Sequence, residues 1–232
     1  MNSGTISADV IAYTSLPGEA RELLDKKIKK VLTTLTEKYA DYEFFGRTSQ
    51  GDHIECALRA PEHALRIALI LKTGVKSLNI SFVKNKTKVK HFVEHGIRLA
   101  IGIAALSRID AANGIIDGEA IYMSGMALKM QSTSDKEKVI IKRTMFFRSN
   151  EPEVQDKMDA IVALLDKIIA RSSAKQCEVV YHKLLGMSEK EISTTLNRYQ
   201  STISQHSTAA GWHAIEKAVD YFEKNIRQCS YH

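Results

Sequence analysis

The chain has 232 residues, 44% of them apolar, and a formal net charge of +6. That composition supports a packed core and excludes a disordered polyelectrolyte, and the length allows one large domain or two modest ones. No apolar run approaches the roughly 20 residues that span a bilayer, the start MNSGTISADVIAYTS lacks a basic end and apolar block, and the odd, scattered cysteines (Cys56, Cys177, Cys229) read as reduced thiols, so a cytoplasmic protein with no membrane partner is expected.

Ile6 to Tyr13 is apolar and β-branched and predicts a strand, with Asp9 inside it. Leu23, Leu24, Ile28, Val31, Leu32 and Leu35 recur at helical spacing, so an amphipathic helix is predicted from Pro17 to Ala40. Tyr42 to Gly46 and His53 to Leu58 read as a hairpin whose turn ends in Gly51-Asp52. PEHALRIALILKTG predicts a helix opened by Pro61 and closed by Gly74. Residues 77–95 read as irregular, with a basic focus at Lys84 to Lys90 that suits a solvated loop or a phosphate contact. Gly96 to Leu106 predicts a central strand, and DGEAIYMSGMALKMQS a helix capped by Asp117. KVIIKRTMFF predicts a last strand. The order β-α-β-β-α-β-α-β implies an α+β fold with helices on one side of an antiparallel sheet.

After SNEPEVQ the pattern turns helical. The predicted division is an α+β domain over 1–150, a connector helix over 151–174 and an all-α domain over 175–232. Residues 1–150 hold 23 Lys/Arg against 16 Asp/Glu, whereas 171–232 hold 8 against 6.

A carboxylate inside a strand is costly unless it is paired, hydrogen-bonded or bound to metal. If the first strand lies beside the hairpin, Asp9 and Asp52 meet at one end of the sheet and could converge on a hard cation. The alternative is two structural carboxylates that cap turns or pair with Arg47 and Arg98. ADVIAYTSL, GDHIECAL, GIRLAIGIA and GEAIYMSGMALKM together resemble the class III nucleotide cyclases, and the same pieces resemble the SatD-like family more closely. That resemblance covers residues 5–145. It implies a cyclase-like fold around a ferredoxin-like β-α-β-β-α-β core. It implies Mg²⁺ or Mn²⁺ on Asp9 and Asp52, and a nucleotide whose triphosphate is cradled by the backbone of Val10, Ile11, Ala12 and Tyr13. The cyclase pattern has an Asn and, four residues on, an Arg. Here those positions hold Tyr122 and Met126, which cannot donate to a phosphoryl oxygen as an arginine fork can. The site reads as degenerate, and no catalytic residue is assigned. Lys129 would substitute only in a different register.

MSEKEISTTLNRYQSTISQHSTAAGW carries the second motif. Ser188 and Glu191 have capping-box spacing, Ile192, Leu196 and Ile203 are placed to pack together, and Asn197 suits a left-handed turn. Val179, Val180 and Leu184 would complete a small core. The stretch resembles helix-turn-helix modules of the sigma-region-four and LuxR type, and the C-terminal part of SatD-like proteins. It departs from them at Ser193, Asn197 and Arg198. Such a module implies that Gln200, Ser201, Thr202, Ser204 and Gln205 face DNA bases or phosphates, with Lys190, Arg198 and Lys183 on phosphates. The competing reading is a three-helix module for dimerisation or protein contact.

The sequence therefore predicts a DNA-binding, homodimeric transcriptional regulator with a degenerate cyclase-like sensor domain for a nucleotide ligand. The alternative is a metal-dependent nucleotide cyclase or nucleotidyl transferase with a regulatory helical tail.

Overall fold

The computed structural model describes residues 2–49, 51–79, 86–130 and 141–229. Gln50 of the hairpin turn, Lys84 and Asn85 of the basic focus, and residues 131–140 lie outside the described residues. The last segment includes the end of the predicted DGEAIYMSGMALKMQS helix and the start of the predicted final strand.

β1 (Asn2–Val10) is the centre of a five-stranded sheet. It runs antiparallel to β3 (His53–Leu58) on one side and to β4 (Ile97–Ala105) on the other. β2 (Phe45–Ser49) pairs with β3 and forms one edge. β7 (Met145–Ser149) runs parallel to β4 and forms the other. The order β2-β3-β1-β4 is that of a β-α-β-β-α-β unit, as the element order predicts, and β7 extends it. A separate ribbon joins β5 (Arg108–Asp110) to β6 (Ile115–Asp117).

α1 (Gly18–Lys38) and α2 (Ala64–Lys76) cover one face of the sheet. Ile6, Ala8, Leu99, Ile101 and Phe147 point into that core. α4 (Glu119–Met130) covers the opposite face, against Ala100, Ala104 and Phe146. The helices therefore do not share one side of the sheet as expected. The reason is in β1: its alternate residues Thr5 and Ser7 are polar, and both hydroxyls bond to Ser124 of α4, at 3.2 and 2.8 Å. Gly102 permits this approach, since a Cβ there would lie 2.3 Å from the Ala120 carbonyl oxygen.

Three further boundaries differ from expectation. Gly74 does not end α2 but lies inside it, where a Cβ would meet Val31 at 2.9 Å and the Tyr181 ring at 3.1 Å. Residues 86–95 form a helix, α3 (Lys86–His95), where irregular chain was expected. Asp117 does not cap α4; it ends β6 and its carboxylate accepts from the Ser107 hydroxyl at 3.2 Å.

α5 (Pro152–Arg171) leads to four helices: α6 (Ala174–Leu184), α7 (Glu189–Leu196), α8 (Gln200–Ala209) and α9 (Trp212–Cys229). One hydrophobic cluster runs from the sheet through α2 to Cys177, Val180 and Leu184 of α6 and to Ile215, Val219, Phe222 and Ile226 of α9. Every residue of α2 except Arg66 is buried, and its apolar residues from Ala64 to Leu71 and Val75 belong to that cluster. The predicted boundary near residue 150 is thus crossed by continuous packing. No described helix is long and apolar enough to cross a membrane.

Candidate functional site

The sequence points to two places, one at the end of β1 and one on α7 and α8. At the first, Asp9 faces His53 of β3 and Arg98 of β4 in register. The Val10 amide donates to the Asp52 carbonyl oxygen at 3.0 Å. The two aspartates therefore stand at the same end of adjacent strands. Period-two alternation puts Asp9, His53, Glu55, Arg47 and Arg98 on the α4 side of the sheet.

Their charges are already matched in pairs. Arg98 forks onto Asp9: Nε donates to Oδ1 at 3.2 Å and Nη2 donates to Oδ2. Arg47 pairs with Glu55 instead of Asp52, with Nε donating to Oε2 at 2.8 Å, and it also reaches the Gly114 carbonyl. His53 Nε2 lies 3.5 Å from the other Glu55 oxygen. The Glu55 hydrogen bond holds the His53 pKa above its usual value, although burial opposes it. His53, against burial and with help from Arg47, draws Glu55 down to about 2.

These residues do not fit a divalent ion as they stand. Both Asp9 oxygens are engaged by a guanidinium, and among the described residues no group of three or more His, Cys, Asp or Glu is placed to hold a metal. A dication within about 4 Å of that guanidinium would meet a repulsion of roughly 8 kcal/mol at an effective dielectric of about 20.

The expected phosphate cradle is partly committed to the fold. The amides of Val10 and Ile11 donate to Asp52 and Gly96 carbonyls at 3.0 and 3.1 Å. Ala12 is left-handed (φ 58°) and starts the short 3-10 turn Tyr13–Ser15. The Tyr13 hydroxyl donates to the Asp25 carboxylate at 3.1 Å, and its ring lies beside Gly51. Tyr122 and Met126 are 65% and 61% exposed on the outer side of α4, and Lys129 is exposed as well.

At the second place, Ser188 and Glu191 form the full capping box that starts α7. Asn197 ends the helix in the left-handed region (φ 49°, ψ 52°). Ser193 Oγ donates to the Arg198 carbonyl at 2.6 Å and pins the turn. Ile192, Ile203 and Val179 make a small separate core, with Met187 and Leu196 against it. Val180 and Leu184 do not join it as expected; they face α2 in the main core. Residues of α6 thus serve two cores at once.

α8 presents Gln200, Ser201, Ser204 and Gln205 to solvent, while Thr202 is half-buried. Thr202, Tyr199, Arg198, Asn197, Thr194 and Ser193 line a groove of about 550 Å³ between the two helices. Tyr199, just before α8, is 84% exposed, a feature to which sequence reasoning assigned no role. Lys190 is exposed on α7. Arg198 instead turns inward, with Nη1 2.9 Å from Glu178 of α6. Lys183 lies 3.0 Å from Glu189 and over the Trp212 ring at 5.2 Å.

No family model matches this chain, and no curated protein matches it. Among solved structures it is similar to a bacterial light-regulated adenylyl cyclase, at 15% identity over 63% of this chain and 74% of that one, with a TM-score of 0.39. It is similar to the guanylyl cyclase Cya2 at 14% identity over 56% and 70%, with a TM-score of 0.38. It is also similar to adenylate cyclases from Trypanosoma brucei, at 14% identity over 53% and 65%, with a TM-score of 0.35. With each of these TM-scores below 0.5, the likeness determines neither the fold nor the chemistry of this chain.

Proposed function

We propose that this protein is a cytoplasmic DNA-binding regulator of transcription. In this reading α7 and α8 form a helix-turn-helix and the α+β part is a sensor that has lost catalytic cyclase residues. The observation that carries it is the Val179–Ile192–Ile203 core. It holds α8 against α7 and α6 while the Gln200, Ser201, Ser204 and Gln205 side of α8 stays open. Short polar side chains on an exposed helix suit the major groove, where Gln reads adenine through two hydrogen bonds and Ser reaches bases or phosphates. An apolar face would suit a protein partner better.

Lys190 is exposed on α7 and in this reading contacts phosphate without rearranging. Arg198 reaches phosphate only after leaving Glu178, so its first role is to hold the turn against α6. A homodimer reading paired half-sites is part of the proposal, as is a nucleotide as the sensed ligand. The test is fluorescence anisotropy of the full chain on duplex DNA over a salt series. Lys190→Ala should weaken binding to all duplexes alike and reduce the salt slope by about one. Gln205→Ala should leave random-sequence binding unchanged and weaken a preferred site by about 1–3 kcal/mol. Absence of duplex binding at low salt would refute the proposal.

A further inference from the structure

The cyclase resemblance calls for a divalent ion on Asp9, and the structure puts an arginine there. We propose that Arg98 is the resident cation of this site, so that the α+β domain works without Mg²⁺ or Mn²⁺. The pairing is built into the sheet, because Asp9 and Arg98 are direct cross-strand neighbours in the β1–β4 ladder. Two guanidinium nitrogens meet the two carboxylate oxygens, a fork that takes one lone pair on each oxygen and sets a positive charge against the carboxylate. The pair is also sheltered, with side-chain exposures of 17% for Arg98 and 26% for Asp9, so solvent and salt screen it less than a surface pair. Ser7 and Ser124 behind it are bonded to each other and offer no anion to balance added charge. The charge of the aspartate is balanced, but by a side chain of the same sheet instead of a metal ion.

The closest rival is a metal that displaces Arg98 on binding. The two separate in a Mn²⁺ titration of the full chain, read by loss of the free-Mn²⁺ electron paramagnetic resonance signal, on wild type, Arg98→Gln and Asp9→Asn/Arg98→Gln. Wild type should leave the free signal intact. Arg98→Gln should bind one Mn²⁺ at least about tenfold more tightly than wild type, since a full positive charge beside the site is gone. The double variant should lose that gain. Mn²⁺ binding by wild type would overturn the proposal, as would an Arg98→Gln protein that folds and binds no better. If Arg98→Gln does not fold, the wild-type titration remains decisive on the first count. Arg98→Lys, which keeps the charge but not the fork, should then bind Mn²⁺ more weakly than Arg98→Ala. The reverse order would sink the idea.

Discussion

Asn197 illustrates how one side chain sets the geometry of the turn between α7 and α8. A non-glycine residue at φ 49° is strained unless its side chain is short and polar, and Asn is among the few that tolerate it. Asn197→Ala should therefore cost about 1 kcal/mol in denaturant unfolding, whereas Asn197→Gly should be close to neutral. Gly102 is the counterpart in the sheet. Its missing Cβ lets α4 sit on β1 and β4, and Gly102→Ala should destabilise by about 1–3 kcal/mol or more, because backbone and not a flexible side chain blocks the methyl. The two residues differ in what the sequence reveals of them. Asn197 was legible, since it sits between two apolar helical patterns with a capping box upstream. Gly102 was not, because its partner is the carbonyl of Ala120, and nothing in a local run announces a distant backbone.

At the scale of elements, α5 is tied to the sheet by a buried polar cluster. Lys72 of α2 donates to Thr144 Oγ1 at 2.7 Å and to the Ile97 carbonyl at 2.8 Å. Its ammonium lies 3.6 Å from Asp166 of α5, which also accepts from the Thr144 amide and hydroxyl at 2.5 Å each. Burial lowers the Lys72 pKa to about 8, and Asp166 opposes that shift. Removing Asp166 leaves an uncompensated buried cation, so Asp166→Ala should cost about 3–5 kcal/mol and Lys72→Met should recover much of it, as a double-mutant cycle would measure. The long helices α1 and α5 and the strands β1 and β4 were legible because their apolar periods run for many residues. α3 was not, since KTKVKHFVEH breaks its apolar stripe with lysines. The three-residue strands β5 and β6 are too short to show a period of two. Lys72 itself gave a weak signal, a lysine inside the nearly unbroken apolar run ALRIALILKTGVK. The pairing of Asp9 with Arg98 was one of two alternatives that the alternation along β1 left open.

For the whole molecule, the C-terminal helices are joined to the α+β part by packing and by charge. Glu223 of α9 accepts from Arg66 Nε at 2.6 Å and has His63 Nδ1 at 3.5 Å. Burial raises its pKa, but these two neighbours outweigh it and bring it from 4.5 to about 2. The unfolded chain then binds the extra proton first, so the stability present above about pH 4.5 falls as the pH drops toward 2. Thermal melts across that window should show a steeper loss for wild type than for Glu223→Gln. A junction held this way joins the C-terminal helices to the sheet and makes the full chain the right object to test.

The proposed regulator stands or falls on whether α8 reads DNA sequence. Selection from a pool of random duplexes with the full chain tests it most directly, run in parallel with Ser201→Ala/Gln205→Ala. Wild type should enrich a motif of one or two half-sites, and the double variant should keep its melting temperature but lose or broaden that motif. Enrichment of no motif by a folded wild-type protein, or an unchanged motif in the double variant, would contradict it.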